Sequence, residues 1–296
     1  MPESTGSAVD DRPSRGGRRL PLVWLGAVPF LAYVTIFLVL PTIIVIFGAF
    51  SGPHGPTLSN VKALSQDYIV TAFVNSIELS AMSAIIGAVV GAVVAYAVVT
   101  GKPDSTLRRI VTSASGVLAQ FGGVTLAFAF IATIGGAGLI TVWLGDHGID
   151  IGSNVWLYEL PGLTLVYSYF QIPLMVLVFL PALDGIRPQW REATETLGGT
   201  AWDYWRHVAA PLLWPSFIGS TLLLFANAFS AYATVEALVS QGGIVLPLQI
   251  YNAFTSETVL GQENLAKALA GGMVVVVAIV MSLYVLLQRR ATRWAR

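Results

Sequence analysis

The sequence predicts an all-α membrane protein with six transmembrane helices and both termini in the cytoplasm. Three observations lead to this fold class. The 296 residues are 55% hydrophobic and only 11% charged, whereas an average soluble domain carries about 25% charged residues. The apolar residues lie in blocks of about 20 or more, the length that a helix needs to cross the hydrocarbon core. If those blocks are spans, 14 of the 16 Lys and Arg residues fall on one side of the membrane.

Six segments are long and apolar enough to cross a bilayer. In chain order they are residues 22–50, 72–99, 110–134, 162–183, 212–238 and 265–288. The first follows several basic residues, as the apolar part of a signal peptide would. It is too long for that role and lacks a small-residue cleavage site. We therefore expect residues 21–50 to be a retained first transmembrane helix.

The basic residues set the orientation. Four lie in the first 19 residues, three follow the second segment, three follow the fourth, and four follow the sixth, whereas only Lys62 and Lys267 fall on the other side. Because Lys and Arg accumulate in cytoplasmic loops, we expect a multi-pass protein of the cytoplasmic membrane. Residues 1–20 are rich in Gly, Ser, Pro and charge, which predicts a disordered tail, and residues 289–296 form a basic cytoplasmic tail.

Composition excludes several function classes. The formal net charge is zero, so no basic surface for nucleic acid is indicated. The chain has no cysteine and three scattered histidines, which predicts no metal cluster. The six segments contain no His, no Asp and no H-E-x-x-H motif, as an intramembrane protease would require. A G-x-x-x-x-G-K-[ST] phosphate loop is also missing from the sequence, so we expect no catalytic residue and no cofactor bound by this chain.

The outer connections and the longest cytoplasmic loop have their own patterns. Residues 51–67 and 135–161 each have room for a short helix between turn residues. The cytoplasmic loop, residues 184–211, is compatible with a helix, a glycine break and a second helix. Pro188 suits the first turn, Gly198 ends the helix, Thr200 suits the next N-cap, and Pro211 ends the second helix. A hairpin of this kind would form a docking surface for a cytoplasmic partner.

The residues of this loop resemble the cytoplasmic signature of the permease subunits of binding-protein-dependent ABC importers. That signature is E-A-A, three residues, glycine, nine residues and then I-x-L-P. Glu192, Ala193 and Thr194 occupy the first three positions, Gly198 the glycine and Pro211 the proline. The third position and the residue before the proline depart from the pattern conservatively. The resemblance covers residues 70–288, and the start of the second segment at Asn75 is also similar to this family.

The resemblance implies a MetI-like ABC permease fold over residues 70–288, preceded by the first helix. It also implies that the first loop helix is a coupling helix seated on an ATPase. The implied coupling residues are Glu192, Ala193, Thr194, Glu195, Leu197, Gly198 and Pro211. The implied partners are ABC ATPase subunits holding ATP and Mg, a second permease subunit that is a homologue or a copy, an extracytoplasmic solute-binding protein, and membrane lipids.

Polar side chains in the spans are candidates for a translocation path, because a carboxylate at mid-helix costs about 3 kcal/mol on the insertion scale. Glu78 lies early in the second segment and Glu236 near the outer end of the fifth. The full set of candidates is Asn75, Glu78, Tyr169, Gln171, Asn227, Tyr232 and Glu236. Two alternatives stay open: the carboxylates snorkel to the outer headgroups, or the other polar groups form interhelical hydrogen bonds.

The substrate is the least determined feature. Residues 229–252 resemble the family branch that handles polyamines, phosphonates, iron or thiamine more than typical sugar permeases. Two outer carboxylates would attract a cationic amine, which makes a polyamine the specific candidate beside a carbohydrate, phosphonate, iron or thiamine. An ion-coupled secondary transporter is the alternative class, although the two halves show no inverted repeat and the loop hairpin would be unexplained.

Overall fold

The computed structural model describes residues 23–52, 55–101, 105–149, 155–239, 244–255 and 262–294. The predicted tail of residues 1–20 lies outside the described residues, as do residues 295–296 of the predicted basic tail. The α-helices in chain order are α1 Val23–Val34, α2 Leu40–Ala49, α3 Ser59–Ala63, α4 Asp67–Val99, α5 Thr106–Leu118, α6 Gly123–Ile134, α7 Leu139–Asp146, α8 Leu160–Asp184, α9 Pro188–Thr196, α10 Ala201–Tyr204, α11 Ala210–Ser230, α12 Ala233–Leu238, α13 Leu246–Thr255 and α14 Gln262–Trp294.

Short elements complete the fold. Two π-helical segments, Thr35–Val39 and Trp205–Ala209, join α1 to α2 and α10 to α11. A 3₁₀ turn, Val155–Tyr158, precedes α8. Strands β1, Ser51–Gly52, and β2, Gly55–Pro56, form an antiparallel pair.

The chain divides into two compact units, Met1–Phe47 and Gly48–Arg296. In the first unit, no side chain described between residues 27 and 47 is buried. An apolar helix with its side chains uncovered is suited to a lipid environment, where the backbone polar groups are satisfied inside the helix.

The second unit is built around α4 and α8. Helix α8 is the most buried of the long helices, and α11 packs against α4, α8 and α14. Glycines let α4 and α8 approach closely: a Cβ atom on Gly87 would lie 2.6 Å from the Cβ of Gln171, and one on Gly91 would lie 2.5 Å from the Cβ of Met175. Small residues at such contacts allow close helix packing in membranes.

Six helical segments in the described part of the chain are long and apolar enough to cross a membrane, which confirms the predicted number. They are Ala27–Ala49, Asp67–Val99, Gly123–Asp146, Leu160–Asp184, Ala201–Ser230 and Glu263–Leu287. The fourth segment matches its prediction within two residues at each end. The second begins five residues before its prediction and ends at the same residue. Helix α14 continues through residues 289–294, which were predicted as tail.

The third segment differs from its prediction of 110–134. Helix α5 ends at Leu118, and α6 begins at Gly123, which has a φ of +71°. A left-handed residue interrupts a right-handed helix, and glycine adopts that conformation at little cost. The apolar segment that qualifies instead is Gly123–Asp146, which includes the short helix α7. Hydropathy missed the break because glycine does not interrupt an apolar run.

The fifth segment also differs from its predicted bounds of 212–238. The helix runs through Pro211, so the prediction that this proline ends the hairpin helix is wrong. Proline lacks the N–H that would bond four residues back, and a π-helical turn precedes it, with the Ala210 N–H bonded to the Trp205 carbonyl. Helix α11 then ends at Ser230, so Glu236 lies on the separate helix α12 instead of the fifth span.

Candidate functional site

The cytoplasmic hairpin, residues 188–209, is held by local hydrogen bonds. At the end of α9, the Gly198 N–H bonds the Glu195 carbonyl at 3.0 Å and the Gly199 N–H bonds the Thr194 carbonyl at 2.9 Å. This is a Schellman motif, whose left-handed position is Gly198 with a φ of +79°. The predicted glycine break is confirmed, and its cause is this C-terminal cap.

The second half of the hairpin begins at a capping box. The Thr200 hydroxyl accepts a hydrogen bond from the Asp203 N–H, and the Asp203 carboxylate accepts one from the Thr200 N–H at 2.9 Å. This confirms Thr200 as the N-cap. Such a box satisfies two otherwise unpaired N–H groups at a helix start. Both turns of the hairpin are therefore fixed by residues within five positions of each other.

Most of the predicted coupling residues are exposed at the tip and flank of the hairpin. Leu197, at the C-cap of α9, is 88% exposed. Only Thr194 is half-buried, and its hydroxyl bonds the Trp190 carbonyl. The exposed coupling residues are Glu192, Ala193, Glu195, Leu197, Gly198 and Pro211. The exposed part of the hairpin therefore combines an apolar side chain at the tip with acidic side chains beside it.

An aromatic contact joins the hairpin to α4, and an ion pair just before the hairpin joins α5 to α8. The Trp205 ring meets the Tyr96 ring of α4 edge to face, with centroids 5.2 Å apart. The Arg108 guanidinium of α5 forms an ion pair with the Asp184 carboxylate at the end of α8. Sequence reasoning missed this pair because its members are 76 positions apart and each has the pattern of a solvated loop charge.

A cleft of about 980 Å³ opens between α9 and the start of α11. Its lining is mainly apolar and includes Trp190, Leu197, Val208 and Leu212. The cleft lies beside the exposed tip of the hairpin. The hairpin therefore offers a partner both a projecting side chain and a concave surface.

Asn75 and Gln171, both predicted for the translocation path, serve as ties between elements. The Asn75 amide donates to the Ile244 carbonyl at 3.0 Å. Gln171 is completely buried, and its amide donates to the Leu224 carbonyl at 2.6 Å. The Asn227 amide reaches the Gln171 side-chain oxygen at 3.4 Å. For Gln171 and Asn227 the structure favours the alternative of interhelical hydrogen bonding, whereas Asn75 bonds a carbonyl just before α13.

Glu78 and Tyr169 lie on surfaces of the second unit. Glu78 is exposed, and within the described residues it has no recorded hydrogen bond or ion pair. Tyr169 is 37% exposed and meets the Phe130 ring edge to face at 5.9 Å. Both side chains are accessible in the single chain, but the structure does not bring them together with the other candidates.

Tyr232 and Glu236 lie together after the break in the fifth segment. Their backbones are one helical turn apart, with the Glu236 N–H bonded to the Tyr232 carbonyl at 3.0 Å. The Tyr232 ring packs against the Tyr251 ring of α13 with centroids 5.3 Å apart. Sequence reasoning missed Tyr251, because nothing in the sequence indicates that α13 returns to this position.

Two helix breaks meet beside this cluster. The Gly123 N–H, at the start of α6, donates to the buried Thr234 hydroxyl at 2.9 Å. The buried Tyr167 hydroxyl donates to the Ala231 carbonyl at 2.8 Å. Within a membrane protein, non-helical backbone is tolerated where protein groups or cavity water satisfy it. Thr234 and Tyr167 supply those partners, and sequence reasoning missed both.

Among the described residues, no group of three or more His, Cys, Asp or Glu side chains is placed to hold a metal ion.

Residues 87–293 match the profile of the family described as binding-protein-dependent transport system inner membrane component. The chain is 27% identical over 289 residues to the probable starch degradation products transport system permease protein AmyD of Thermoanaerobacterium thermosulfurigenes, covering 90% of this chain and 94% of the relative. It is 29% identical over 113 residues to the sulfate transport system permease protein CysT of Escherichia coli, covering 38% of each. The match therefore spans well under half of CysT.

Solved structures share the fold. A bacterial ABC transporter involved in the import of the acidic polysaccharide alginate has a chain that matches with a TM-score of 0.67 at 17% identity, covering 93% of this chain and 96% of that one. The inward-facing MetNI methionine ABC transporter matches with a TM-score of 0.55 at 15% identity, covering 76% of this chain and 96% of that one. At these identities the likeness supports the predicted fold class.

Proposed function

The chain belongs to the family of binding-protein-dependent transport system inner membrane components, and from that premise we propose that it forms the translocation path of an ATP-driven importer for a small polar solute. Residues 70–288 are its permease domain, residues 21–50 an additional membrane helix, and residues 1–20 and 289–296 its cytoplasmic tails. The alternative of an ion-coupled secondary transporter leaves the cytoplasmic hairpin without a role.

The observation that carries this proposal is the exposed, doubly capped hairpin. A Schellman motif and a capping box fix both turns, while the side chain at the tip, Leu197, is 88% exposed. A rigid element with an exposed apolar tip and an adjacent cleft is suited to bind a partner subunit and to transmit its movement. The seven coupling residues predicted from the sequence are our candidates for that contact.

The hairpin connects to the membrane helices by contacts that can transmit a displacement. Trp205 rests against Tyr96 of α4, and Asp184, just before the hairpin, is paired with Arg108 of α5. Closure of two ATPase subunits would draw two such hairpins together and open the path outward. Hydrolysis would return the path to its inward-facing state.

The partners proposed for this chain follow from the missing phosphate loop in its sequence and from its exposed apolar side chains. Its sequence holds no phosphate loop, so ATP and Mg are assigned to ABC ATPase subunits. The apolar side chains exposed along the second unit suit lipid and a second permease subunit, either a homologue or a copy. The family description names dependence on a binding protein, and an extracytoplasmic solute-binding protein is the corresponding partner.

A polyamine is our specific substrate candidate. Glu78 and Glu236 would attract a cationic amine and repel an anion such as the sulfate named for CysT. AmyD, named for starch degradation products, supports a carbohydrate as the second candidate. If uptake of a labelled polyamine is unchanged in Glu78→Gln and Glu236→Gln, these carboxylates do not select a cation.

The test of the import function uses the complex purified with its partner subunits and reconstituted in lipid. Glu192→Arg reverses the charge of an exposed residue on the coupling helix, and we expect ATP-driven uptake to fall at least about tenfold, equivalent to about 1.4 kcal/mol. Glu263→Arg makes the same change on an exposed residue of α14 and serves as the control. Unchanged uptake in Glu192→Arg contradicts the role of the hairpin, and transport by the isolated chain under an ion gradient without ATP contradicts the importer.

A further inference from the structure

Two tyrosine rings, one at the N-cap of α12 and one on α13, lie in contact beside a carboxylate of α12. The Tyr232 and Tyr251 rings are tilted by 38° with centroids 5.3 Å apart. Glu236 lies one helical turn after Tyr232, and the pKa of Tyr232 is raised first by burial and then by the neighbouring Glu236 carboxylate. Tyr251 comes from the separate helix α13, so its contact with this turn is a property of the fold.

This cluster is accessible and its carboxylate is available. Tyr251 is 45% exposed, and Tyr232 and Glu236 are half-exposed. Within the described residues, Glu236 has no recorded ion pair. Lys267, one of the two basic residues predicted on the outer side, donates instead to the Asn264 side chain. Among the residues that the structure describes, no cation pairs with the Glu236 carboxylate.

The position of the cluster follows from the direction of α11. That helix begins directly after the cytoplasmic hairpin and ends at Ser230, so the residues that follow it lie toward the opposite side of the membrane. The hydrogen bonds from Gly123 to Thr234 and from Tyr167 to Ala231 hold the start of this segment against the membrane helices. The cluster is thus fixed at the outer end of the helices that form the proposed path.

We propose that Tyr232, Tyr251 and Glu236 form a binding site for an alkylammonium cation at the outer mouth of the permease. The carboxylate supplies the opposite charge, the Tyr232 hydroxyl accepts an N–H, and the exposed ring of Tyr251 supplies a π face, which attracts cations. A neutral sugar can hydrogen-bond the carboxylate but has no net charge to pair with it, and sulfate is repelled by it. This inference rests on the proposed import function and adds to it the residues and the ligand chemistry.

The test measures equilibrium binding of spermidine to the full complex in lipid nanodiscs by titration calorimetry. We expect Glu236→Gln to weaken binding at least about tenfold, because an ammonium group loses its charge partner. Tyr251→Leu removes the ring and is expected to weaken binding about fivefold, whereas Tyr251→Phe keeps the ring and stays within about twofold. Glu263→Gln removes an exposed carboxylate outside the cluster and is the matched control.

The outcomes separate this site from the importer. Absence of spermidine binding to the wild-type complex, or equal binding in wild type and Glu236→Gln, overturns the site. If that complex still shows ATP-driven uptake of a sugar or an anion, the importer stands without the site. Spermidine binding that depends on Glu236 in a protein that transports without ATP supports the site and overturns the importer.

Discussion

The cytoplasmic hairpin and the outer segment, residues 231–239 with 244–255, are held in place by different kinds of contact. In the hairpin, Gly198, Gly199 and Thr200 bond residues at most five positions away. In the outer segment, Thr234 accepts from Gly123, and Ile244 accepts from Asn75. These bonds join residues 111 and 169 positions apart. The surface that meets the proposed ATPase is therefore locally encoded, and the proposed cation site depends on the assembled fold.

We therefore expect substitutions in the two regions to act differently. A change in the hairpin alters one turn and leaves the membrane helices packed, so ATP-driven transport should be lost before the free energy of unfolding falls. A change in the outer segment removes a bond that joins distant helices, so stability falls first.

The largest effect on stability is expected at Thr234. Thr234→Ala leaves the half-buried Gly123 N–H without its side-chain acceptor, and an unsatisfied donor removed from water costs about 1–3 kcal/mol. The free energy of unfolding, measured in mixed micelles with increasing denaturing detergent, should fall by that amount. Thr234→Ser keeps the hydroxyl and is the control. Equal stability of Thr234→Ala and wild type would show that the two helix breaks are not held by this bond.

The next largest effect is expected at Gly198, and it should lower ATP-driven uptake. Its φ of +79° makes a β-branched residue strained by about 1–2 kcal/mol, so Gly198→Val should loosen the C-cap of α9. We expect ATP-driven uptake to fall while the complex still copurifies with its ATPase. Gly116→Ala, at a helical position where an added methyl meets no atom within 4 Å, is the control. If Gly198→Val no longer copurifies with the ATPase although its membrane helices are as stable as in wild type, the turn at Gly198 is needed for binding the ATPase and not for coupling.

The same contrast explains how much the sequence could predict. The glycine break and the Thr200 cap were recognisable because each depends on residue types at fixed short spacings. The number of spans was recognisable because hydropathy averages over about 20 residues. The break before Gly123 was not recognisable, because glycine leaves the hydropathy of a segment unchanged while its left-handed backbone ends the helix.

The polar residues show the limit more sharply. Gln171 and Asn227 were singled out as candidates for the path because polar side chains in spans are unusual. Their hydrogen bonds show that Gln171 joins α8 to α11. Tyr251 and Thr234 were missed because their partners are elsewhere in the chain. The sequence therefore indicated that a polar side chain in a span needs a hydrogen-bond partner. The fold was needed to identify that partner.

The smallest effect compares two ion pairs on the cytoplasmic side. Arg108–Asp184 joins α5 to the end of α8, with side chains 21% and 41% exposed, whereas Arg191–Glu195 is a one-turn pair within α9, with side chains 63% and 58% exposed. Exposed one-turn pairs contribute about 0.3–0.5 kcal/mol, and salt screens them.

Double-mutant cycles to alanine should give a larger coupling energy for Arg108–Asp184, about 1 kcal/mol, because Arg108 is less solvated. Raising the salt concentration from about 0.1 M to about 1 M should reduce the Arg191–Glu195 coupling energy to near zero and leave part of the Arg108–Asp184 coupling energy. Equal coupling energies that vanish together in salt would mean that the long-range pair is an ordinary surface contact, and the link from the membrane helices to the hairpin would then depend on the contact between Tyr96 of α4 and Trp205.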